Sequence, residues 1–390
     1  MPDASSSLEP FRSATPPAGI ADLRARLRAT RWPDAPAEAG WAYGTDPHYL
    51  QDLVGYWADG FDWAAREEEL NLLPRFRAHV GGLGIHLIHA RAVDRRAPVL
   101  PLVLTHGWPD SFWRYTKVIS LLTDPGAHGA DPADAFDVVV PDLPGFGYSD
   151  HPRSAPLDSV GVAALWAQLM AALGYDSFGA AGGDIGSHVS RYLALDFPEK
   201  VVAVHRTDAG VPIFGGDPDT LTAPEREWMT DAAAWGATEG AYAAIQRTKP
   251  QTLAVGLNDS PAGLAAWIVE KMLAWSGDGG DLEGRFTKDE ILTNLSIYWF
   301  TQTIGSSVRM YKANAAIPPA QLGRRVEVPS GFALFPGDIL RPPRAWLERT
   351  SRLVRVTEPE HGGHFAAFEE PEAYAHELRE FFRPYRDRFA

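Results

Sequence analysis

A near-continuous apolar run, Ala97 to Leu104, opens an alternation of strand-like and helix-like segments that constrains the fold more than any other part of the chain. A run of this kind reads as a parallel strand covered on both faces. A helix-like stretch follows from Ser111 to Leu122, then a strand from Phe136 to Val140. Ser159 is expected to cap a helix carrying Val162, Leu165, Trp166, Leu169 and Leu173 on one side. A short strand from Ser177 to Gly182, a helix from Ile185 to Phe197 stopped by Pro198, and a strand from Val201 to His205 complete the series. Strands and helices alternating at these lengths call for right-handed crossovers, and the fold class predicted is α/β with a mostly parallel, doubly wound sheet.

The alternation fails from Asp208 to about Leu322, which reads as irregular and helical. It resumes with strands at Gly331 to Phe335 and Leu353 to Val356 and a helix opened by Glu370-Pro371. A helical insertion in such a sheet is placed to cover the carboxyl ends of the strands, where these sheets put their sites. The first ninety or so residues read as a helical, Trp-rich leader. Asp46-Pro47 supplies an N-cap with proline behind it, and Leu50, Leu53, Val54 and Trp57 then form one apolar stripe. With Trp32, Trp41, Trp57 and Trp63 to shelter, the leader is expected to lie against the rest of the protein. The expected division is therefore an N-terminal extension (1–90), a first core part (91–208), a helical cap (209–322) and a second core part (323–390).

Composition narrows the chemistry. The chain has no cysteine, which excludes disulfides, thiolate zinc sites and a Cys nucleophile. Thirty-six basic against fifty acidic residues give a net charge of −14, which argues against nucleic acid and anionic membrane as partners. Met1 to Ile20 has neither the basic nor the apolar region of a secretory leader, and no stretch approaches the roughly 18–20 apolar residues of a membrane span. A cytoplasmic protein is expected, with the aromatic leader as a candidate homodimer surface.

The chemistry centres on Gly182-Gly183-Asp184-Ile185-Gly186 at a strand-to-helix junction. Glycines on both flanks are what a sharp, strained turn requires, and the arrangement resembles the nucleophile elbow of the α/β-hydrolase fold, with Asp in place of the familiar Ser. Alone, the same pattern is also an ordinary turn into a helix. Its surroundings argue for the elbow. His106-Gly107-Trp108-Pro109 directly follows the first apolar strand, so the backbone N–H groups of Trp108 and Ile185 are the candidate oxyanion donors. Downstream, Asp338 in Pro336-Gly337-Asp338 and His364 in Gly362-Gly363-His364 follow the two late strands in the order nucleophile, acid, His. Pro141 to Ser149 reads as a glycine-bearing turn that shapes the site without doing chemistry. His361 is read as structural, and His86 and His89, in a strand-like segment on opposite or mixed faces, as packed or solvated; no carboxylate or thiolate stands at metal-ligand spacing from His361 and His364, so neither metal nor cofactor is expected.

These residues together resemble the epoxide hydrolases, in the microsomal-type branch that carries an N-terminal extension. Thr30-Arg31-Trp32, Phe61-Asp62-Trp63 and Gly84 to His89 are similar to that branch's leader, Ile245 to Pro250 and Leu257 to Pro261 to its lid, and Gly362 to Pro371 to its catalytic His segment. The resemblance implies an α/β-hydrolase fold with helical cap, and a reaction adding water to an apolar epoxide to give a vicinal diol. It implies Asp184 as the nucleophile, His364 as the base that activates water, Asp338 as the acid that orients it, and Tyr242 and Tyr311 as lid donors to the epoxide oxygen. The chain departs from the branch at Ile185, where a Trp commonly follows the nucleophile, and in having no N-terminal membrane helix. A haloalkane dehalogenase would use the same Asp nucleophile, and a non-catalytic hydrolase-fold binding protein would keep Asp184 only as a turn residue. A serine esterase is disfavoured because Ser187 lies three positions past the elbow.

Overall fold

A computed structural model of the chain describes residues 8–36, 38–153, 156–277 and 280–389; Met1 to Ser7, part of the leader read above, lie outside these. Nine strands form one sheet: β1 (Glu9–Pro10), β2 (Arg75–Val80), β3 (Leu83–Ala90), β4 (Leu100–Thr105), β5 (Phe136–Pro141), β6 (Phe178–Gly182), β7 (Val201–Arg206), β8 (Val326–Ala333) and β9 (Ser351–Thr357). Their order is β1-β2-β3-β5-β4-β6-β7-β8-β9. The pairs from β5 through β9 are parallel, while β1, β2 and β3 add an antiparallel edge. The central strands are apolar because both their faces are covered: Leu102, Val103, Leu104, Val138, Val139 and Val140 are wholly buried. Burying such side chains contributes about 1.5–3 kcal/mol each.

The leader is less helical than its Trp-rich pattern suggests. Helices Pro17–Arg28, Pro47–Asp59 and Trp63–Leu70 are followed by β2 and β3, which pair in full antiparallel register and then join the main sheet through β5. Gly81 and Gly82, with φ of 58° and 80°, make the two-residue turn between them, a conformation that other residues reach only at a cost. Helix Pro47–Asp59 forms as expected, with the Asp46 carboxylate accepting from the His48 and Tyr49 amides, and Trp57 buries its indole against Ser296 at 3.0 Å. Trp63 is also buried, whereas Trp32 stays 39 % exposed.

Local boundaries differ in instructive ways. Asp158, not Ser159, caps helix Ser159–Ala172, and Ser159 instead donates both its amide and its hydroxyl to Asn314 of the cap. The stretch expected as one helix from Ser111 is a 3₁₀ turn, Phe112–Val118, continued by a short α-helix, Ile119–Thr123. The strand expected at Gly331 starts earlier, at Val326, since Val326 and Val328 point inward while Glu327 is exposed. Between β7 and β8 the described residues contain helices and no strand, the longest being Ala223–Thr238, Pro261–Trp275 and Lys288–Thr301. This helical region covers the carboxyl ends of the strands. Among the described residues no helix is long and apolar enough to cross a membrane, and no group of three or more His or acidic residues is arranged to hold a metal.

Candidate active site

Asp184 sits between β6 and helix Ile185–Asp196 with φ 57° and ψ −129°. A non-glycine residue in that region costs on the order of 1–3 kcal/mol, and persists only where its surroundings over-determine it. Here they do. A Cβ at Gly186 would lie 1.8 Å from the Thr105 carbonyl oxygen, so the first turn of the helix is pressed against the end of β4. Gly186→Ala is accordingly expected to destabilise the fold by more than about 3 kcal/mol, read as a fall in melting temperature and in soluble yield.

The same close packing brings the loop after β4 onto Asp184. The Trp108 amide donates to Asp184 Oδ1 at 2.8 Å, and a Cβ at Gly107 would fall 2.1 Å from that oxygen. The loop is itself held: Asn294 and Tyr298 of helix Lys288–Thr301 donate to the carbonyls of Pro109 and Asp110, each at 2.8 Å. Asp142, just past the end of β5, accepts from the Phe112 and Tyr148 amides and from His86, all within the buried network that also takes in His106. The Pro141–Ser149 turn therefore shapes the site, and His86 and His89 are both packed, His89 against the Tyr175 hydroxyl.

His364 enters from the loop after β9. Its Nδ1 lies 2.7 Å from Asp338 Oδ1, and its Nε2 is 3.4 Å from Asp184 Oδ2 without the alignment of a hydrogen bond. The imidazole is pinned from behind, since its amide donates to the Trp275 carbonyl at 2.8 Å and its carbonyl accepts from the buried Arg114 guanidinium. Burial works against a charge on His364, but Asp338 and Asp184 together raise its pKa to about 10. Burial likewise pushes the Asp184 carboxyl up, and the contact with His364 and the amides of Trp108 and Ile185 outweigh it, holding the group at about 2. The resting site thus holds His364 as an imidazolium beside the ionised Asp184.

Above this pair lies a cavity of about 670 Å³ whose floor includes Asp184, Asp338 and His364 and whose roof includes Tyr242 and Tyr311 of the cap. The two phenols meet edge to face at 6.0 Å, and Trp108 stacks on Tyr242 at 5.6 Å. Burial raises the pKa of both tyrosines, so each stays a proton donor at neutral pH. A larger cleft of about 1700 Å³ between the extension and the core holds none of these groups.

The structure therefore brings Asp184, Asp338, His364, Tyr242, Tyr311 and the amides of Trp108 and Ile185 to one place. His361 lies outside it, on the exposed side of the loop. Sequence reasoning missed Asp208, His188 and Trp275. Asp208 and His188 line the cavity, and Trp275 packs on both Tyr242 and His364 at 5.1 and 5.2 Å. None carries a motif; only contacts between distant elements reveal them.

Residues 8–115 match the family described as epoxide hydrolase N terminus, and residues 101–251 match the alpha/beta hydrolase fold. Epoxide hydrolase 1 of Sus scrofa is 35 % identical over 406 residues, covering 96 % of this chain and 88 % of that protein. The juvenile hormone epoxide hydrolase of the silkworm Bombyx mori superposes with a TM-score of 0.89 at 29 % identity, over 98 % of this chain and 95 % of that one. The Aspergillus niger epoxide hydrolase gives a TM-score of 0.84 at 30 % identity, over 99 % and 98 % of the two chains.

Proposed function

The chain belongs to the epoxide hydrolase family, and from that premise we propose that it opens apolar epoxides through a covalent ester on Asp184. The observation that carries this is the division of labour between the two oxygens of one carboxylate. Oδ1 is committed to the Trp108 amide, while Oδ2 faces the cavity and His364. A carboxylate at about 2 is ionised at neutral pH, so no base is needed for its attack.

Oδ2 forms a bond to an epoxide carbon as the ring C–O bond breaks, and the ring oxygen leaves with the electron pair. It takes a proton from Tyr242 or Tyr311, which burial has kept protonated. Esterification also removes the Asp184 charge, leaving Asp338 as the one carboxylate bonded to His364. The imidazolium then gives its proton back to the tyrosinate through solvent, and becomes a base. Water deprotonated at Nε2 adds to Cγ, and the charge develops on Oδ1, already in contact with its amide donor. Collapse expels the diol alkoxide, which takes the proton from His364; the new Asp184 carboxylic acid ionises and returns a proton to the imidazole. The cycle closes with every group in its starting form.

One turnover in heavy-oxygen water tests this: the label should enter the Asp184 carboxylate, read by mass of its peptide, and label found only in the diol would overturn it. Tyr242→Phe and Tyr311→Phe should each slow ester formation, and the double variant should lose about 10²- to 10⁴-fold, the range of a lost general acid. Release of halide from bromoalkanes with no turnover of styrene oxide would instead favour the dehalogenase reading, in which paired phenols have no leaving oxygen to protonate.

A further inference from the structure

The site holds a carboxylate that the mechanism above does not use. Asp208 lies two residues beyond β7, is 8 % exposed, and lines the cavity. Its Oδ2 accepts the backbone N–H of Asp184 at 2.7 Å, and its Oδ1 accepts that of Gly210 at 2.8 Å. Its own carbonyl accepts the Ser187 hydroxyl at 2.7 Å. One residue is thus bonded to the elbow at the nucleophile and again one turn later.

We propose that Asp208 is a positioning residue for the nucleophile: as a carboxylate it grips the Asp184 amide and holds the left-handed elbow that aims Oδ2, and as a carboxylic acid it holds less firmly, so that ester formation slows in acid. This rests on the reading of Asp184 as nucleophile. The elbow conformation is costly, and a hydrogen bond to an ionised acceptor is roughly twice as strong as one to a neutral acceptor. Loss of the charge therefore weakens the restraint where strain is greatest. Asp208 is not a second partner for the histidine, because His364 Nδ1 is already bonded to Asp338 at 2.7 Å.

The charged and titratable groups around Asp208 come from every element of the site. They are Asp184 on the elbow, His188 on the following helix with its ring against Gly210, Arg206 on β7, Asp338 after β8, His364 after β9, and Arg247 on the cap side of the cavity. Burial and the charges of Asp338 and Asp184 raise the Asp208 carboxyl to about 6, against the opposing pull of His364 and the Asp184 amide. Asp184 itself is ionised down to about 2, burial lowers His188 to about 4, and His364 is raised to about 10. A limb at about 6 that Asp208→Asn abolishes is therefore the signature of Asp208. The sign is fixed: the carboxylate form is lost as pH falls through about 6, so the rate falls in that direction and is full above it.

The test is the rate of ester formation with styrene oxide, measured before steady state on the full chain from about pH 4.5 to 8.5, in the wild type and in Asp208→Asn. The wild type should show a limb at about 6; the variant should lack the limb and run about ten- to a hundredfold slower on its plateau. Hydrolysis of the ester once formed depends on His364 and should change by less than about threefold. A variant that retains the limb and the wild-type rate overturns the proposal while leaving Asp184 as nucleophile intact. Absence of any ester on Asp184 in the wild type overturns both. If Asp208→Asn does not fold, the wild type decides alone: a rate that stays flat between about pH 5 and 7, or no carboxyl-to-carboxylate conversion by infrared difference spectroscopy over the same range, overturns it.

Discussion

Asp184→Asn is expected to lower epoxide turnover on the order of 10⁴-fold or more, the scale seen when a covalent nucleophile is removed from a preorganised site. The substitution is the most discriminating available because it changes little else. An amide oxygen at the Oδ1 position can still accept from the Trp108 backbone, now 2.8 Å away, so the elbow and the loop after β4 should keep their contact. What disappears is the ionised oxygen facing the cavity. His364 also loses one of the two carboxylates that hold its proton, so its pKa should fall from about 10. A neutral imidazole could then act directly on water. Residual turnover in the variant, if any, would therefore come from water attacking the epoxide carbon, and its label would appear in the diol. Steady-state assay with styrene oxide, with epoxide binding followed by quenching of the intrinsic tryptophan fluorescence, to which Trp235 in the cavity wall contributes, separates loss of chemistry from loss of binding. Activity within about tenfold of wild type would remove Asp184 from the role of nucleophile.

How much of this can be read from the residues depends on whether a role is local. The elbow is legible because its glycines answer a local steric demand: Gly186 abuts Thr105 too closely for any side chain. Asp338 and His364 are legible from chain order, since each follows a strand of the same sheet and so must reach the same edge. Tyr242 and Tyr311 come from resemblance alone, because a tyrosine on a lid helix looks like any packed aromatic. Ile185, which departs from the family pattern, contributes to the site through its backbone amide, and that donor survives any change of side chain except proline. Asp208 is invisible for a different reason. It is the first residue past the point where the strand–helix alternation stops, so it reads as the start of an irregular stretch, and its partners are backbone amides that leave no trace in composition. Strand β3 is legible, since the segment holding His86 and His89 reads as strand-like, but its partner β2 is obscured in the same way as Asp208: Arg75 is a buried polar residue bonded to His86 at 2.9 Å, and a buried polar residue breaks the apolar alternation a strand would otherwise show.

His364→Gln should stop the enzyme after one turnover rather than before it. Ester formation needs the ionised Asp184 and a protonated phenol, neither of which depends on a base, while hydrolysis of the ester needs a proton acceptor beside the water. The variant should therefore consume about one equivalent of epoxide in a burst and then accumulate a protein heavier by the mass of the substrate, with steady-state turnover down on the order of 10³- to 10⁴-fold. The first step should not be wholly unaffected. Without the imidazolium, Asp184 loses the charge that most offsets its burial and its carboxyl rises above about 2, and Asp208 loses the pull of His364 that lowers its own carboxyl, so the acid limb of ester formation should lie at a higher pH than the wild type's about 6. In wild type the two steps should also part company with pH. The free site holds the His364 proton to about 10, yet once Asp184 is esterified only Asp338 remains bonded to the ring, so the hydrolysis step should reach its plateau at a pH below that value. Quenched-flow mass spectrometry resolves both. A variant that turns over continuously without a burst, or that never gains the substrate's mass, would show that His364 is not the base for the ester.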